Sequence, residues 1–99
     1  MSYDFKEIWC NKGNFSESNR KSSDIDTLVI HYTGNDGDTA ENNGNYFKNN
    51  VVETSAHYFV DDTTVVRSVA DQNIAWHAGD WDINCRSIGI EIAGSTTEC

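Results

Sequence analysis

The sequence predicts one small domain built on a β-sheet with a single weak helix, and three observations predict it. The run Ile25-Asp26-Thr27-Leu28-Val29-Ile30-His31-Tyr32 is rich in β-branched residues, as a buried strand is. Ser87 to Ala93 places Ile at every second position, which is the period of a strand. The aliphatic inventory is one Leu against fifteen Ile and Val, with 11% aromatic residues, and this favours strands over helix bundles. At 99 residues and 37% hydrophobic, the chain can bury one modest core and no more.

Residues 1–23 are polar and without clear period, and they read as an N-terminal arm with Phe5, Ile8 and Trp9 as an anchor. The domain proper spans residues 24–99, and its first strand is Ile25 to Tyr32. Thr33 to Asp38 is dense in turn formers, and Asp38 or Thr39 can cap a helix running to about Asn50. That helix is weakly specified. Five Asn and one Gly fall between Ala40 and Asn50, so Tyr46 and Phe47 must hold it against a sheet. Ala56 to Val60 and Thr64 to Val69 are strand-like and flank Asp61-Asp62-Thr63, a hairpin signature. Ile74 to Asp82 follows neither period and reads as a loop. Ser87 to Ala93 is the last strand, with its Ile face packed and Gly89 and Glu91 opposite.

The formal net charge of −9 argues against nucleic acid and anionic membranes as partners, because both are met by clustered Lys and Arg. No apolar run approaches the roughly 20 residues of a membrane helix, and Met1 to Arg20 lacks the pattern of a signal peptide. Cys10, Cys85 and Cys99 form an odd set without CxxC spacing, which suggests neither a disulfide framework nor a thiol zinc knuckle.

Four residues could carry chemistry. His31 ends the strongest strand before a Gly-rich turn, where a sheet delivers ligands to a crevice; a hydrogen-bonded strand-end His is the plainer alternative. His57 lies inside a hairpin strand and reads as a satisfied core His. His77 follows Trp76 in the irregular stretch, which suits ligand contact and loop capping equally. Glu91 is a carboxylate within an Ile-alternating strand, and it serves either chemistry or the blunting of a sheet edge. None of these spacings marks a zinc site by itself.

In order, Leu28-Val29-Ile30-His31-Tyr32-Thr33, Ser55-Ala56-His57-Tyr58-Phe59-Val60, Ile74-Ala75-Trp76-His77-Ala78-Gly79 and Ser87-Ile88-Gly89-Ile90-Glu91 resemble the type-2 N-acetylmuramoyl-L-alanine amidase family. That family includes phage endolysins, bacterial autolysins and the related peptidoglycan recognition proteins. The resemblance implies an α/β fold, a mixed central β-sheet flanked by helices with Zn2+ held over one end. It implies hydrolysis of the amide between N-acetylmuramic acid and L-alanine in peptidoglycan, with a non-catalytic muropeptide-binding module as the alternative. His31 takes the place of the first zinc ligand, and Glu91 that of the catalytic acid or base. Trp76 and His77 would line the substrate groove, with His77 donating to an oxyanion. A catalytic Tyr in one branch of the family is here Ala56, so the branch bearing Glu is the nearer analogue.

One departure stands out. The family's other two zinc ligands come well after the SIGIE-like strand, and Cys99 is too close to that strand to match the late Cys. The expectation is therefore a catalytic domain truncated at its C-terminus, binding zinc poorly and self-associating through uncovered apolar surface. By analogy with endolysins, a product without a signal peptide would be made in the cytoplasm and reach the cell wall at lysis.

Overall fold

The computed structural model describes residues 3–94. Two sheets and two helices make up the domain. The strands are β1 (Asp4–Glu7), β2 (Phe15–Ser16), β3 (Thr27–Asp36), β4 (Tyr58–Val60), β5 (Thr64–Arg67), β6 (Ile74–Ala75) and β7 (Ser87–Gly94). The helices are α1 (Ala40–Asn49) and α2 (Trp81–Arg86). The main sheet has five strands in the order β1-β5-β4-β7-β3, and β2 pairs with β6 in a two-stranded ribbon.

Pairing in the main sheet is mixed. The β4–β5 hairpin is antiparallel, while β1–β5, β4–β7 and β3–β7 are parallel. β3 and β4 both run parallel to β7, which lies between them, and strands of one direction cannot be joined by a tight turn, so the chain between β3 and β4 must cross over the sheet. Helix α1 makes that crossover. Thr39 caps it through a capping box with Asn42, which offsets the poor helix propensity of its Asn residues.

Helix α1 lies across β4, β5 and β7, where Phe47 stacks on Phe59 with ring centroids 5.2 Å apart. The helix sits low because Gly44 has no side chain. A Cβ there would fall 2.9 Å from Val66 Cγ1. Ala40 of the helix is fully buried together with Ala56, Phe59 and Val66, and Ile8 and Phe47 pack against them.

Two expectations change. Within the segment read as an arm, residues 4–16 are built into the domain: β1 adds to the main sheet, β2 pairs with β6, and Cys10 and Asn14 are buried. Its polar composition hid this because an edge strand exposes most of its side chains, as all four residues of β1 do. The stretch read as a loop over Ile74 to Asp82 contains β6 and the start of α2. Both elements are too short to show a period.

The two faces of the main sheet are covered unequally. The face carrying Gly89 and Glu91 lies under α1 and the Trp76–Gly79 segment. On the Ile face, edge-strand residues Leu28 and Ile30 are 68% and 50% exposed. The expectation that the Ile face is the packed one holds for Ile88 and fails toward the β3 edge.

Asn14 ties the amino-terminal segment to the helix exit. Fully buried, it donates from Nδ2 to the carbonyls of Phe47 and Asn50 and accepts at Oδ1 from the N–H groups of Val52 and Glu53. Asn14→Ala orphans these backbone groups and is expected to cost on the order of 3 kcal/mol. Urea unfolding of the two proteins measures this, and a loss below about 0.5 kcal/mol would contradict the assigned role.

Candidate functional site

The parallel register of β3 on β7 sets His31 directly beside Glu91. Neighbouring strands lie roughly 4.8 Å apart, so an imidazole and a carboxylate share one face as adjacent groups. Both are half-buried. Just beyond them β3 is irregular: the register passes from Tyr32–Ile92 to Asp36–Gly94, a bulge of the kind that bends strands next to functional sites.

His77 reaches this face from the Trp76–Gly79 segment. Its Nδ1 is 3.1 Å from His31 Nε2, and its Nε2 is 2.9 Å from Ser87 Oγ. The His31 and His77 rings meet edge to face, with centroids 5.3 Å apart. Gly89 lies beneath: a Cβ at that position would stand 2.5 Å from His77 Cγ, so only glycine lets the ring rest on the β7 backbone. The segment bearing His77 is pinned on several sides. Trp76 donates from its backbone to Ser55 Oγ and from its indole to Ser16 Oγ, and the backbones of His77 and Ala78 donate to buried Asn84.

His57 lies below His77 and is fully buried. The Gly89 N–H donates to its Nδ1, so the proton sits on Nε2 and is donated to the Asn73 carbonyl 2.9 Å away. It is a structural histidine, and it stands one residue before β4 rather than inside the strand expected over Ala56 to Val60.

The electrostatics follow from burial. The Glu91 carboxyl is pushed above its ordinary range, first by burial and then by the negative charge of Asp38. Burial also pushes Asp38 upward, but hydrogen bonds from Asn43, the Gly94 N–H and Thr33 outweigh it and hold that group below the usual range. Burial lowers His31 and keeps it neutral, which is the form that binds metals. His77 falls to about 4 through burial and the neighbouring His31, His57 and Arg20.

A cleft of about 760 Å³ opens over this face, walled by Asn43, Tyr46 and Phe47 of α1 on one side and by Ala56, Trp76 and His77 on the other, with Glu91 at its lining. Trp76, His77 and Glu91 thus share one cavity, while His31 stands at its margin through its contact with His77. Both ring nitrogens of His77 have partners within the protein, His31 and Ser87, and the ring lines the cleft. Ala56 brings no polar group. Sequence reasoning missed Ser87 and Gly89 as supports of the site; a glycine inside a regular strand is the signal that marked one of them.

Zinc can be tested against the donors present. His31 offers one imidazole, which burial holds toward its neutral form, and one such donor does not by itself hold a zinc ion. Those residues hold no group of three or more His, Cys, Asp or Glu placed to bind a metal ion. Cys99 lies outside them.

Fold and cleft together define an α/β domain of the kind that forms endolysin catalytic domains. Two solved structures show this: a mutant endolysin from Bacillus subtilis, at TM-score 0.77 and 28% identity, and the catalytic domain of XlyA, at TM-score 0.79 and 30% identity. The alignments cover 96% and 94% of this chain, and 64% and 63% of those chains.

The chain belongs to the N-acetylmuramoyl-L-alanine amidase family, whose model matches residues 21–98. Among curated relatives, the N-acetylmuramoyl-L-alanine amidase CwlA of Bacillus subtilis is 42% identical over 71 residues, and the amidase XlyB of the same organism is 39% identical over 71. The matches take in 69% of this chain in both cases, but only 26% and 22% of the relatives' own lengths.

The buried imidazole of His57 predicts an acid sensitivity. Its folded pKa, about 4, lies below the ordinary 6.5, so between those values the unfolded chain takes up a proton that the folded chain does not. Its contribution is present in full above the ordinary value and is lost as pH falls toward the folded one, on the order of 3 kcal/mol at most. Denaturant midpoints for wild type and His57→Gln should diverge less at about pH 4.5 than at pH 7. A constant difference across that window would count against this.

Proposed function

We propose that this domain hydrolyses the amide between N-acetylmuramic acid and L-alanine in bacterial peptidoglycan, as a zinc-dependent amidase of the endolysin or autolysin type. The observation that carries the reading is the His31–Glu91 register pair beneath an open cleft, in a chain of the amidase family. The muropeptide lies in the cleft against Trp76 and His77 on one side and Tyr46 and Phe47 on the other.

Glu91 is the catalytic base and acid. Its raised pKa suits a group that must both gain and lose a proton: it takes one from the attacking water and returns it to the departing L-alanine nitrogen. His31 is one zinc ligand, with further ligands drawn from outside the described residues. Zinc, when bound, acidifies water and polarises a carbonyl oxygen. The domain acts at the cell wall; among its described residues no helix is long and apolar enough to cross a membrane.

The test is release of new L-alanine amino termini from purified cell walls by the protein at its full natural length. Release is expected, with loss on adding a chelator and a fall of at least about a thousandfold in Glu91→Gln, the scale of a removed general base with its electrostatic contribution. Walls that bind the protein without release would favour the muropeptide-binding reading instead.

Self-association belongs to the same proposal. Leu28 and Ile30 stand exposed on β3, an edge strand of the main sheet, and such a surface pairs readily with a second copy. Light scattering on this chain is expected to show a mass above the monomer that rises with concentration, and Leu28→Lys with Ile30→Lys should return it to monomer. A concentration-independent monomer would sink the idea.

A further inference from the structure

We infer that the end of the cleft away from Glu91 is a subsite for a primary ammonium group on the substrate, with Tyr46 as its aromatic wall and Glu53 as its counter-charge. The inference rests on the amidase reading above and deepens it: the stem peptide that suits this cleft carries a free amine on an alkyl side chain.

The cleft has two ends. Helix α1 walls it, and Asp38, just before the helix, lies close enough for its charge to act on Glu91. Glu53 follows the helix exit and stands at the opposite end. One side chain joins that end together, since Asn14 donates to the carbonyls of Phe47 and Asn50 and accepts from the Glu53 N–H.

Tyr46 is the one exposed large hydrophobic residue in the cleft lining, at 51%. The expectation that it holds the helix against the sheet is met by Phe47 instead, which stacks on Phe59 and meets the Tyr46 ring edge to face with centroids 5.2 Å apart. The outer part of the tyrosine ring is left open, and an open ring on a cavity wall offers contact area to a ligand.

Glu53 is held in an unusual place. Its φ is 60°, and among the described residues it is the one non-glycine with a positive value. Glu is not a residue type that adopts this conformation readily, and strained residues of this kind gather at ligand sites. Asn14 Oδ1 takes both the Val52 and Glu53 N–H groups, which fixes the turn while the Glu53 side chain stands exposed.

Charge decides what the subsite takes. The cleft lining carries Asp38, Glu53 and Glu91 and no Lys or Arg. Asp38 spends its oxygens on Thr33, Asn43 and the Gly94 N–H, and burial favours the protonated form of Glu91. Glu53 is therefore the carboxylate left to face a ligand. An alkyl ammonium fits a carboxylate beyond an open tyrosine ring, because its methylenes and cation lie against the ring while the cation meets the carboxylate. A side chain ending in a carboxylate would be repelled there.

The test is titration calorimetry with two soluble muramyl tripeptides, one with a free side-chain amine on its third residue and one with that amine acetylated. The protein is used at its full natural length and as Glu91→Gln, so that the ligand stays whole. The free-amine form is expected to bind about three- to tenfold more tightly, the scale of an exposed ion pair with a cation–π contact, and added salt should narrow the gap. Adding Glu53→Gln should bring the two affinities together. Glu53→Asp, which keeps the charge and tolerates the positive φ, should retain most of the preference. Tyr46→Leu should weaken binding of both forms and reduce the preference.

Equal affinity for the two forms, binding of neither, a preference that survives Glu53→Gln, or unchanged binding in Tyr46→Leu each overturns the inference. Failure of the amidase reading shows separately, as absence of L-alanine release by the wild-type protein.

Discussion

The parallel pairing of β3 with β7 is the constraint on which the site depends. It joins residues about sixty positions apart in the chain and places His31 beside Glu91. Because side chains alternate faces, a slip of one residue would send either group to the opposite side of the sheet. The same pairing places Ser87 and Gly89 on the face of Glu91, and so makes the bed on which His77 rests. Helix α1 is the crossover that parallel strands require, and it doubles as one wall of the cleft.

Around that register the domain keeps three histidines close together and neutral. Burial lowers all three, and for His57 and His77 the fall is to about 4. Imidazolium rings at this distance would repel one another, so neutrality favours the edge-to-face contacts between His31 and His77 and between His77 and His57. Glu91 meets the same dry surroundings with the opposite result, a carboxyl that holds its proton more firmly than usual. One environment thus sets a neutral imidazole beside a carboxyl of raised proton affinity on adjacent strands.

The amino-terminal segment is part of this construction. Asn14 receives and gives hydrogen bonds at the exit of α1, Ser16 holds the Trp76 indole, and β2 pairs with the strand that leads into His77. Residues that looked like a polar arm therefore brace both walls of the cleft. Their polarity reflects that duty: they satisfy backbone and side-chain groups in loops that have no ladder of their own.

By itself, the sequence determined the strands at residues 25–32 and 87–93, the capped helix after Thr39, the hairpin around Asp61, and His31 and Glu91 as the residues to watch. These follow from periodicity, capping and turn chemistry, all of which act over a few neighbouring residues. Four ordered motifs also pointed to the family. Only the tertiary structure decided that residues 4–16 join the sheets, that the Gly89–Glu91 face is the covered one, and that His77 spends its nitrogens on His31 and Ser87. Those facts depend on groups brought together from opposite ends of the chain, and no local pattern encodes a distance between residues 31, 77 and 87 until the strands have found their register.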